Sequence, residues 1–272
     1  MGGLLNKVYR LWRSIAEKQI SVYAANASYF IILALFPMLV LLLGMLRYTG
    51  LEVTRLTDLV EGFLPEALMP AARRLILNAY RNSTGTVLSV SALTALWSAS
   101  RGIYGLIQGL NRICNVTENR GYWRTRGLSV GYTFAFLLVL MLTLGLNVFG
   151  RTLLTYAPVE QYPFLMFLSE IVDLRFFLLL AVQTALFTAA FAVLPNRRIR
   201  LRDALPGALL AAIGWMIFTQ LYSWYVTGFH LYASIYGSVY AVAVSMLWLY
   251  CCISILFYGG ALNHYLAEES GL

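Results

Sequence analysis

Charged side chains are scarce in this sequence, because only 12% of its 272 residues are Asp, Glu, Lys or Arg. A soluble domain of this size usually has about 25% charged and about 45–50% apolar residues. Here 60% of the residues are apolar, and the mean hydropathy is +0.71. A soluble fold of this length has no room to bury so much apolar surface. The composition therefore excludes an ordinary soluble domain and predicts a protein whose solvent is lipid.

The side chains that carry most metal and acid–base chemistry are also rare. The two histidines, His230 and His264, fall at the ends of different apolar stretches, and no pair of acidic residues has a spacing suited to catalysis. Metal-assisted phosphodiester cleavage needs clustered carboxylates or histidines, and the P-loop of an ATP-driven protein is missing. The three cysteines, Cys114, Cys251 and Cys252, show no CxxC spacing and are expected to be free thiols. We therefore predict no catalytic residues, no metal site and no cofactor.

Long apolar stretches are what the sequence has instead. A helix needs roughly 20 mainly apolar residues to cross a bilayer core about 30 Å thick. Six stretches reach this length, at residues 22–46, 86–110, 128–149, 171–194, 205–226 and 239–262. The prediction is an all-α fold, a polytopic membrane helix bundle with about six transmembrane helices. No linker or low-complexity tract divides the chain, so residues 1–272 are expected to form a single membrane domain.

The distribution of basic residues predicts the orientation of these helices. Three segments are strongly basic: the first 20 residues, the loop between spans two and three, and the loop between spans four and five. Their basic residues are Lys7, Arg10, Arg13, Lys18, Arg112, Arg120, Arg124, Arg126, Arg197, Arg198, Arg200 and Arg202. By the positive-inside rule these segments and both termini lie in the cytoplasm, which is an N-in/C-in topology. The net charge of +8 then indicates contact with anionic membrane lipids and no nucleic-acid partner.

Two further segments are predicted to lie at the membrane surface. Residues 4–18 place apolar side chains on one helical face and mostly basic ones on the other, which is typical of an interfacial helix on the cytoplasmic leaflet. Residues 51–82, on the extracytoplasmic side, show the pattern of two short amphipathic helices separated by Pro65 and Pro70. This segment either rests at the interface or covers a cavity.

The second span contains the most informative pattern. Polar and small residues recur there at intervals of three and four, which places them on one side of a helix. They are Ser91, Thr94, Ser98, Arg101, Gly105, Gln108 and Arg112. Arg101 lies near the middle or inner half of the span, where a guanidinium that faces lipid costs at least about 2.5–3.5 kcal/mol. The stripe is therefore expected to face protein or water.

Arg101 has no obvious counter-ion in the sequence. None of the 12 acidic residues lies deep inside a span, although a buried arginine usually needs a carboxylate or several carbonyl groups. In the functional interpretation, Arg101 points into an aqueous cavity and binds an anion such as a lipid phosphate, which a guanidinium binds in a bidentate manner. In the structural interpretation, it bonds to carbonyl groups exposed by helix kinks or extends toward the interface.

Asn26 is a further candidate for substrate binding, and two other positions are predicted to kink or turn the chain. Asn26, in the first span, either joins the polar residues of span two in binding a substrate or hydrogen-bonds between packed helices. Pro37 removes a backbone donor from the same span and is expected to kink it. Residues 232–238, which include Gly237, are nearly uncharged and predict a tight turn or a re-entrant segment between spans five and six.

Several longer motifs lie along most of the chain. They are Tyr23-Ala24-Ala25-Asn26-Ala27-Ser28-Tyr29-Phe30 with Leu33-Ala34-Leu35-Phe36-Pro37, Trp97-Ser98-Ala99-Ser100-Arg101-Gly102, Leu110-Asn111-Arg112-Ile113, Tyr122-Trp123-Arg124, Leu194-Pro195-Asn196-Arg197-Arg198, Asp203-Ala204-Leu205-Pro206-Gly207-Ala208, Ser234-Ile235-Tyr236-Gly237-Ser238 and Leu247-Trp248-Leu249-Tyr250. Together they resemble the YihY/BrkB family of bacterial inner-membrane proteins, whose members once carried the name ribonuclease BN. Many members have a glutamate where this sequence has Ala261.

The resemblance implies a six-span protein of the bacterial plasma membrane, in a family linked to serum resistance, envelope integrity and export of lipid-like molecules. Together with the polar stripe, it favours a transporter or flippase-like protein for an anionic lipid or other amphiphile, such as a phospholipid or an envelope precursor. The alternative is a non-catalytic scaffold for envelope integrity or assembly. Ribonuclease activity is not expected, because clustered carboxylates and histidines are missing. The sequence predicts no particular oligomeric state.

Overall fold

The structure, a computed structural model, describes residues 18–46, 73, 77, 84–134, 174–228 and 230–269. Apart from the isolated helical residues 73 and 77, these residues form six helices: α1 covers Ile20–Leu46, α2 Gly85–Ile113, α3 122–134, α4 Leu174–Val193, α5 Leu201–Gly228 and α6 His230–Glu269. Within the same residues there is no strand. The predicted all-α class is therefore confirmed, and each helix overlaps one of the six apolar stretches.

The residues that flank α2 explain where this helix begins and ends. Thr84 occupies the N-cap position, and its Oγ1 accepts a 3.3 Å hydrogen bond from an N–H of the first turn. At the other end Asn115 has a φ of 52°. The N–H groups of Asn115 and Val116 donate back to carbonyls of the last turn, at 3.3 and 2.9 Å. This is a Schellman motif with asparagine in the left-handed position, and it terminates the helix.

Helix α6 is longer than the sequence pattern predicts. It begins at His230 and continues through residues 232–238 to Glu269, so the prediction of a turn or re-entrant segment at Gly237 was wrong. A single glycine inside a helix costs only about 1 kcal/mol relative to alanine, and the neighbouring tyrosine, alanine and isoleucine residues are compatible with a helix. Helix α5 ends at Gly228.

Two helical segments of the described residues are long and apolar enough to cross a membrane. They are Leu201–Val226, with a mean hydropathy of 1.6, and Val242–Glu269, with a mean hydropathy of 1.9. Only 28% and 39% of the most apolar 18-residue parts of these two segments are buried. The core helix of a soluble protein would be mostly buried, so the exposed apolar side chains of these two helices suit contact with lipid. Two shorter apolar stretches, Ile20–Ala34 and Leu179–Val193, accompany them.

Contacts divide the chain into two compact units, Tyr29–Arg101 and the remainder, Met1–Ser28 with Gly102–Leu272. The single membrane domain remains a prediction. In the larger unit, α5 packs against both α4 and α6. Phe187, Trp215 and Trp248 form an aromatic cluster across these three helices, with ring centroids 5.4 and 6.0 Å apart. The largest fully buried side chains of this unit include Phe257, Ile107 and Leu110, so its core also involves the C-terminal half of α2.

Helices α5 and α6 are in backbone contact at Gly207 and Gly259. A Cβ atom at Gly207 would lie 2.1 Å from the carbonyl oxygen of Gly259, and one at Gly259 would lie 2.4 Å from that of Gly207. Asn263, one turn further along α6, accepts a 2.7 Å hydrogen bond from the N–H of Gly207 and donates one of 2.8 Å to the carbonyl of Ala204. Small residues and a buried amide thus hold the two helices together, as they do in many membrane helix pairs.

Replacing Asn263 with alanine is expected to destabilise the protein by about 1–3 kcal/mol, because the substitution removes two hydrogen bonds at a buried position. Denaturant unfolding of the detergent-solubilised protein measures this change. Asn119→Ala, in an exposed loop position, serves as the control and is expected to change stability by less than about 0.5 kcal/mol. Equal stability of the two variants would contradict the role given to Asn263.

Three predicted features lie outside the described residues. They are the N-terminal interfacial helix apart from Lys18, most of the amphipathic segment 51–82, and the part of the third span after residue 134. Of residues 51–82, only Arg73 and Leu77 are described, and both are helical and exposed. These features remain predictions.

Candidate functional site

Arg101 lies on α2 with two aromatic rings around it. At a rise of 1.5 Å per residue it is about 18 Å from the C-terminal end of the helix, and its side chain is exposed. Its guanidinium carbon is 5.4 Å from the ring centroid of Trp97, one turn earlier, and 5.9 Å from that of Phe30 on α1. The two rings are in an edge-to-face arrangement, with centroids 6.3 Å apart. Both rings are close enough for cation–π contacts with the guanidinium.

The two aromatic rings offset part of the free-energy cost of placing the Arg101 guanidinium at membrane depth. No carboxylate pairs with it among the residues that the structure describes. Cation–π contacts at exposed sites contribute about 0.5–1 kcal/mol each, so two of them contribute about 1–2 kcal/mol. A guanidinium at membrane depth costs about 2.5–3.5 kcal/mol or more. At that depth the remainder would come from water, from an anion or from further polar groups of the protein.

Two serines near Arg101 in the sequence have deeply buried hydroxyl groups. Ser98 and Ser100 are fully buried, and within the described part of the chain neither Oγ has a hydrogen-bond partner. A serine or threonine in a helix can bond to the carbonyl four residues earlier, as Thr94 does to Val90 at 2.8 Å. Because unsatisfied buried hydroxyls are costly, a water molecule or a polar group of a ligand would be stabilised beside them.

The residues of the predicted stripe are not all in one environment. Thr94, Arg101, Gln108 and Arg112 are exposed, Ser91 is half-buried, and Ser98 and Gly105 are buried. At Gly105 helix α1 comes close, since a Cβ atom there would lie 3.1 Å from Asn26 Oδ1 and 3.3 Å from Ala27. The structure therefore brings Asn26 against the stripe at Gly105. Whether these residues bind a substrate remains a prediction.

Pro37 lies inside α1, which continues from Ile20 to Leu46. Because proline has no N–H, it removes one backbone hydrogen bond from the helix at this position. The kink that the sequence suggests here remains a prediction.

The C-terminal end of α2 is surrounded by positive charge. Arg112, in the last turn, is exposed and interacts favourably with the helix dipole. Lys18 lies two residues before the start of α1 and is buried, and its Nζ donates a hydrogen bond to the carbonyl oxygen of Ile113, the last residue of α2. Burial lowers the pKa of Lys18, while the negative charge of Glu268 raises it. Lys18 thus ties the start of α1 to the end of α2.

A network that the sequence interpretation missed joins the loop after α2 to the loop before α5. Glu118 accepts hydrogen bonds from Arg120 Nε (2.7 Å) and Nη2 (2.6 Å) and from Asn111 Nδ2 (2.8 Å). Arg120 Nη2 also donates to the carbonyl of Leu194 at 2.8 Å. The buried Asn111 accepts a 2.7 Å bond from the N–H of Asn196. Asn111 and Asn196 belong to two of the motifs that carry the family resemblance, and these motifs were the signal available in the sequence.

This network is expected to make stability depend on pH in the acid range. Its hydrogen bonds, above all those from Arg120, hold the pKa of Glu118 below its usual value. The stabilisation is therefore present above the unfolded-state pKa of about 4.3 and is lost as the pH falls through the lower folded-state pKa. Thermal unfolding measured from about pH 7 to about pH 3 should show this loss in the wild-type chain and a weaker one in Glu118→Gln. An unchanged pH profile in the variant would contradict it.

These features define a helical membrane protein in which apolar helices are exposed and the guanidinium of Arg101 is flanked by two aromatic rings. The sequence profile of the family described as virulence factor BrkB matches residues 11–271. The chain belongs to this family of membrane proteins, and the resemblance found from the motifs is confirmed.

Relatives of the chain carry two kinds of name. It is 32% identical over 249 residues to the ribonuclease-like protein YfkH of Bacillus subtilis (strain 168), which covers 92% of this chain and 90% of that relative. It is 26% identical over 266 residues to a UPF0761 membrane protein of Vibrio parahaemolyticus, covering 95% and 81%. A UPF0761 membrane protein of Vibrio atlanticus is 26% identical over 263 residues, covering 94% and 80%. No solved structure matches the chain.

Proposed function

We propose that this protein moves an anionic lipid or another anionic amphiphile, such as a phospholipid or an envelope precursor, between the leaflets of a bacterial plasma membrane. In this proposal Arg101 binds the anionic head group. The neighbouring polar residues Ser98, Ser91, Thr94, Gln108, Asn26 and Arg112 provide hydrogen bonds along its path. The proposal includes six spans with both termini in the cytoplasm.

The observation that carries this proposal is the environment of Arg101. An exposed guanidinium on a long helix, flanked by Phe30 and Trp97 and without a carboxylate among the described residues, keeps its hydrogen-bond donors available. Phosphate oxygens match the planar guanidinium in charge and geometry. The aromatic faces suit the apolar part of an amphiphile next to its head group. A soluble anion would gain little from this second feature.

The multi-pass topology is supported by two independent features. The apolar helical segments Leu201–Val226 and Val242–Glu269 are mostly exposed, as lipid-facing helices are. The basic residues concentrate in alternate loops, which the positive-inside rule assigns to the cytoplasm. Cysteines introduced singly at positions 124 and 200, in a variant without the native cysteines, should react with a membrane-impermeant thiol reagent only after the cells are opened. Labelling in intact cells would contradict the assignment.

The test of the proposed activity is lipid movement in reconstituted vesicles. Purified protein is placed in vesicles that contain a head-group-labelled phosphatidylglycerol, and a quencher added outside reports how much label has crossed. Movement above that of protein-free vesicles is expected. If the protein moves no lipid but retains specific envelope proteins in a pull-down from the same membrane, the scaffold alternative replaces transport.

The ribonuclease-like name of the Bacillus relative suggests a third function, and one observation bears on it. Among the described residues, no group of three or more His, Cys, Asp or Glu side chains is placed to hold a metal ion. Metal-assisted phosphodiester cleavage depends on such a group. Incubation of the purified protein with labelled RNA and a divalent metal is expected to leave the RNA intact. Cleavage that a point substitution in this chain abolishes would establish the enzyme instead.

A further inference from the structure

A small cleft lies in the larger unit, where the loop before α5 meets the C-terminal half of α6. Its volume is about 60 Å³, whereas a single water molecule needs only about 10–15 Å³. Arg197 and Arg198 from the loop, Asp203 from the first turn of α5, and Asn263 and His264 from α6 provide its polar lining. The cleft therefore has room for a phosphate group and polar atoms to contact it.

The charges around the cleft favour an anion. The lining contains two arginines and one carboxylate, that of Asp203. Arg198 is exposed and has no partner among the described residues. His264 is engaged at the rim, where its Nε2 lies 3.1 Å from Glu268 Oε1 and 3.4 Å from Asn115 Nδ2.

The remaining lining adds no negative charge. Burial raises the pKa of Cys114, which keeps its thiol protonated near neutral pH. The N-terminus of α5 also contributes positive potential, because the first N–H groups of a helix have no intrahelical acceptor. Positive charge thus outweighs negative charge in the lining of the cleft.

The loop that carries the two arginines is held in place at its start by two hydrogen bonds of Asn196. The N–H of Asn196 donates to Asn111 Oδ1 at 2.7 Å, and its side-chain amide donates to the carbonyl of Thr117 at 2.9 Å. Asn196 directly precedes Arg197, so the backbone leading into the cleft is fixed before a ligand arrives. A site that is already ordered loses less conformational entropy on binding. The positive-inside rule requires basic residues in this loop, but it requires neither a concave arrangement nor an ordered backbone.

We propose that this cleft is a phosphate-binding site, in which Arg197 and Arg198 contact the phosphate oxygens and Asn263 and His264 complete the polar lining. The phosphate belongs either to a lipid head group or to a small soluble phosphate compound. The site is separate in sequence from Arg101 and does not depend on the proposed transport activity.

The test uses the full chain in detergent and two probes. The first is inorganic phosphate, with chloride at matched ionic strength as its control, and the second is phosphatidic acid in mixed micelles, with phosphatidylcholine as its control. Binding is measured as the rise in unfolding temperature with probe concentration. Arg198→Ala is expected to weaken binding by about tenfold or more, as the loss of a charge-assisted hydrogen-bond donor predicts. Arg124→Ala removes an equally exposed arginine outside the cleft and is expected to change affinity less than about twofold.

Each outcome decides a part of the proposal. Binding of both probes that is lost in Arg198→Ala and kept in Arg124→Ala assigns the site to phosphate in general. The same result with phosphatidic acid alone assigns it to a lipid head group. If neither probe binds, or if both variants lose binding equally, the proposal is overturned. Arg198→Gln, which keeps the polarity of the side chain without its charge, serves if the alanine variant does not fold.

Discussion

Arg101→Ala is expected to slow the movement of anionic lipid in reconstituted vesicles by about tenfold to a hundredfold, since a hydrogen bond to a charged group contributes about 1.5–3 kcal/mol. Arg101→Lys is expected to retain part of the activity. Lysine keeps the positive charge but loses the planar donor pair that binds two phosphate oxygens at once. Trp97→Ala should reduce the rate by only a few-fold, because a cation–π contact at an exposed site contributes about 0.5–1 kcal/mol.

The matched control for this series is Arg202→Ala. Arg202 is an exposed arginine on α5, so its loss changes the net charge by the same amount without touching the aromatic rings at Arg101. Lipid movement should be close to wild type in this variant at equal protein density. Wild-type rates in Arg101→Ala, or an equal loss in both alanine variants, would contradict the role assigned to Arg101.

Gly207→Val is expected to destabilise the protein more strongly than the loss of the Asn263 side chain does. Even the first side-chain atom would lie 2.1 Å from the carbonyl oxygen of Gly259 and 2.6 Å from the side-chain amide of Asn263. Backbone atoms cannot move aside as a flexible side chain can, so α5 and α6 would have to separate. Overpacking usually costs about 1–3 kcal/mol and sometimes more, and we expect the upper end of this range for Gly207→Ala and a larger loss for valine.

The control for the glycine substitutions is Gly127→Ala. Gly127 lies in α3, and nothing is found within 4 Å of a Cβ atom built there. Alanine is the better helix former by about 1 kcal/mol, so this variant should be as stable as wild type or slightly more stable. Thermal unfolding in detergent, together with the yield of monodisperse protein, compares the two substitutions. Equal melting of Gly207→Ala and Gly127→Ala would exclude a close crossing at Gly207.

The helices were largely predictable from the sequence because their signals are local. For α2, the apolar periodicity predicted residues 86–110, and the structure has Gly85–Ile113. The difference at the C-terminal end comes from Asn115, whose Schellman motif is recognised only when its backbone is seen in the left-handed region. For α6, the glycine and serine residues of 232–238 predicted a turn, but the helix continues through them, because a single glycine inside a helix costs only about 1 kcal/mol relative to alanine.

The candidate site was only partly predictable. The position of Arg101 on a polar stripe follows from spacing alone, and Trp97 lies one helical turn away on the same face. Phe30 comes from a different helix, and no spacing rule connects it to Arg101. Likewise, no spacing rule predicts the contacts of Glu118 and Arg120. Glu118 accepts a hydrogen bond from Asn111, whereas Arg120 donates one to Leu194, which is 74 residues away in the sequence. Long-range side-chain contacts of this kind require the tertiary structure.

The direct measurement of the central claim is native mass spectrometry of the protein released from membranes of its own host. We predict that the wild-type chain retains an anionic phospholipid or a similar anionic amphiphile, and that Arg101→Ala loses it while Arg202→Ala keeps it. If the Arg101→Ala variant retains the same lipids in the same amounts as the wild type, Arg101 does not bind the head group, and the proposed function is contradicted.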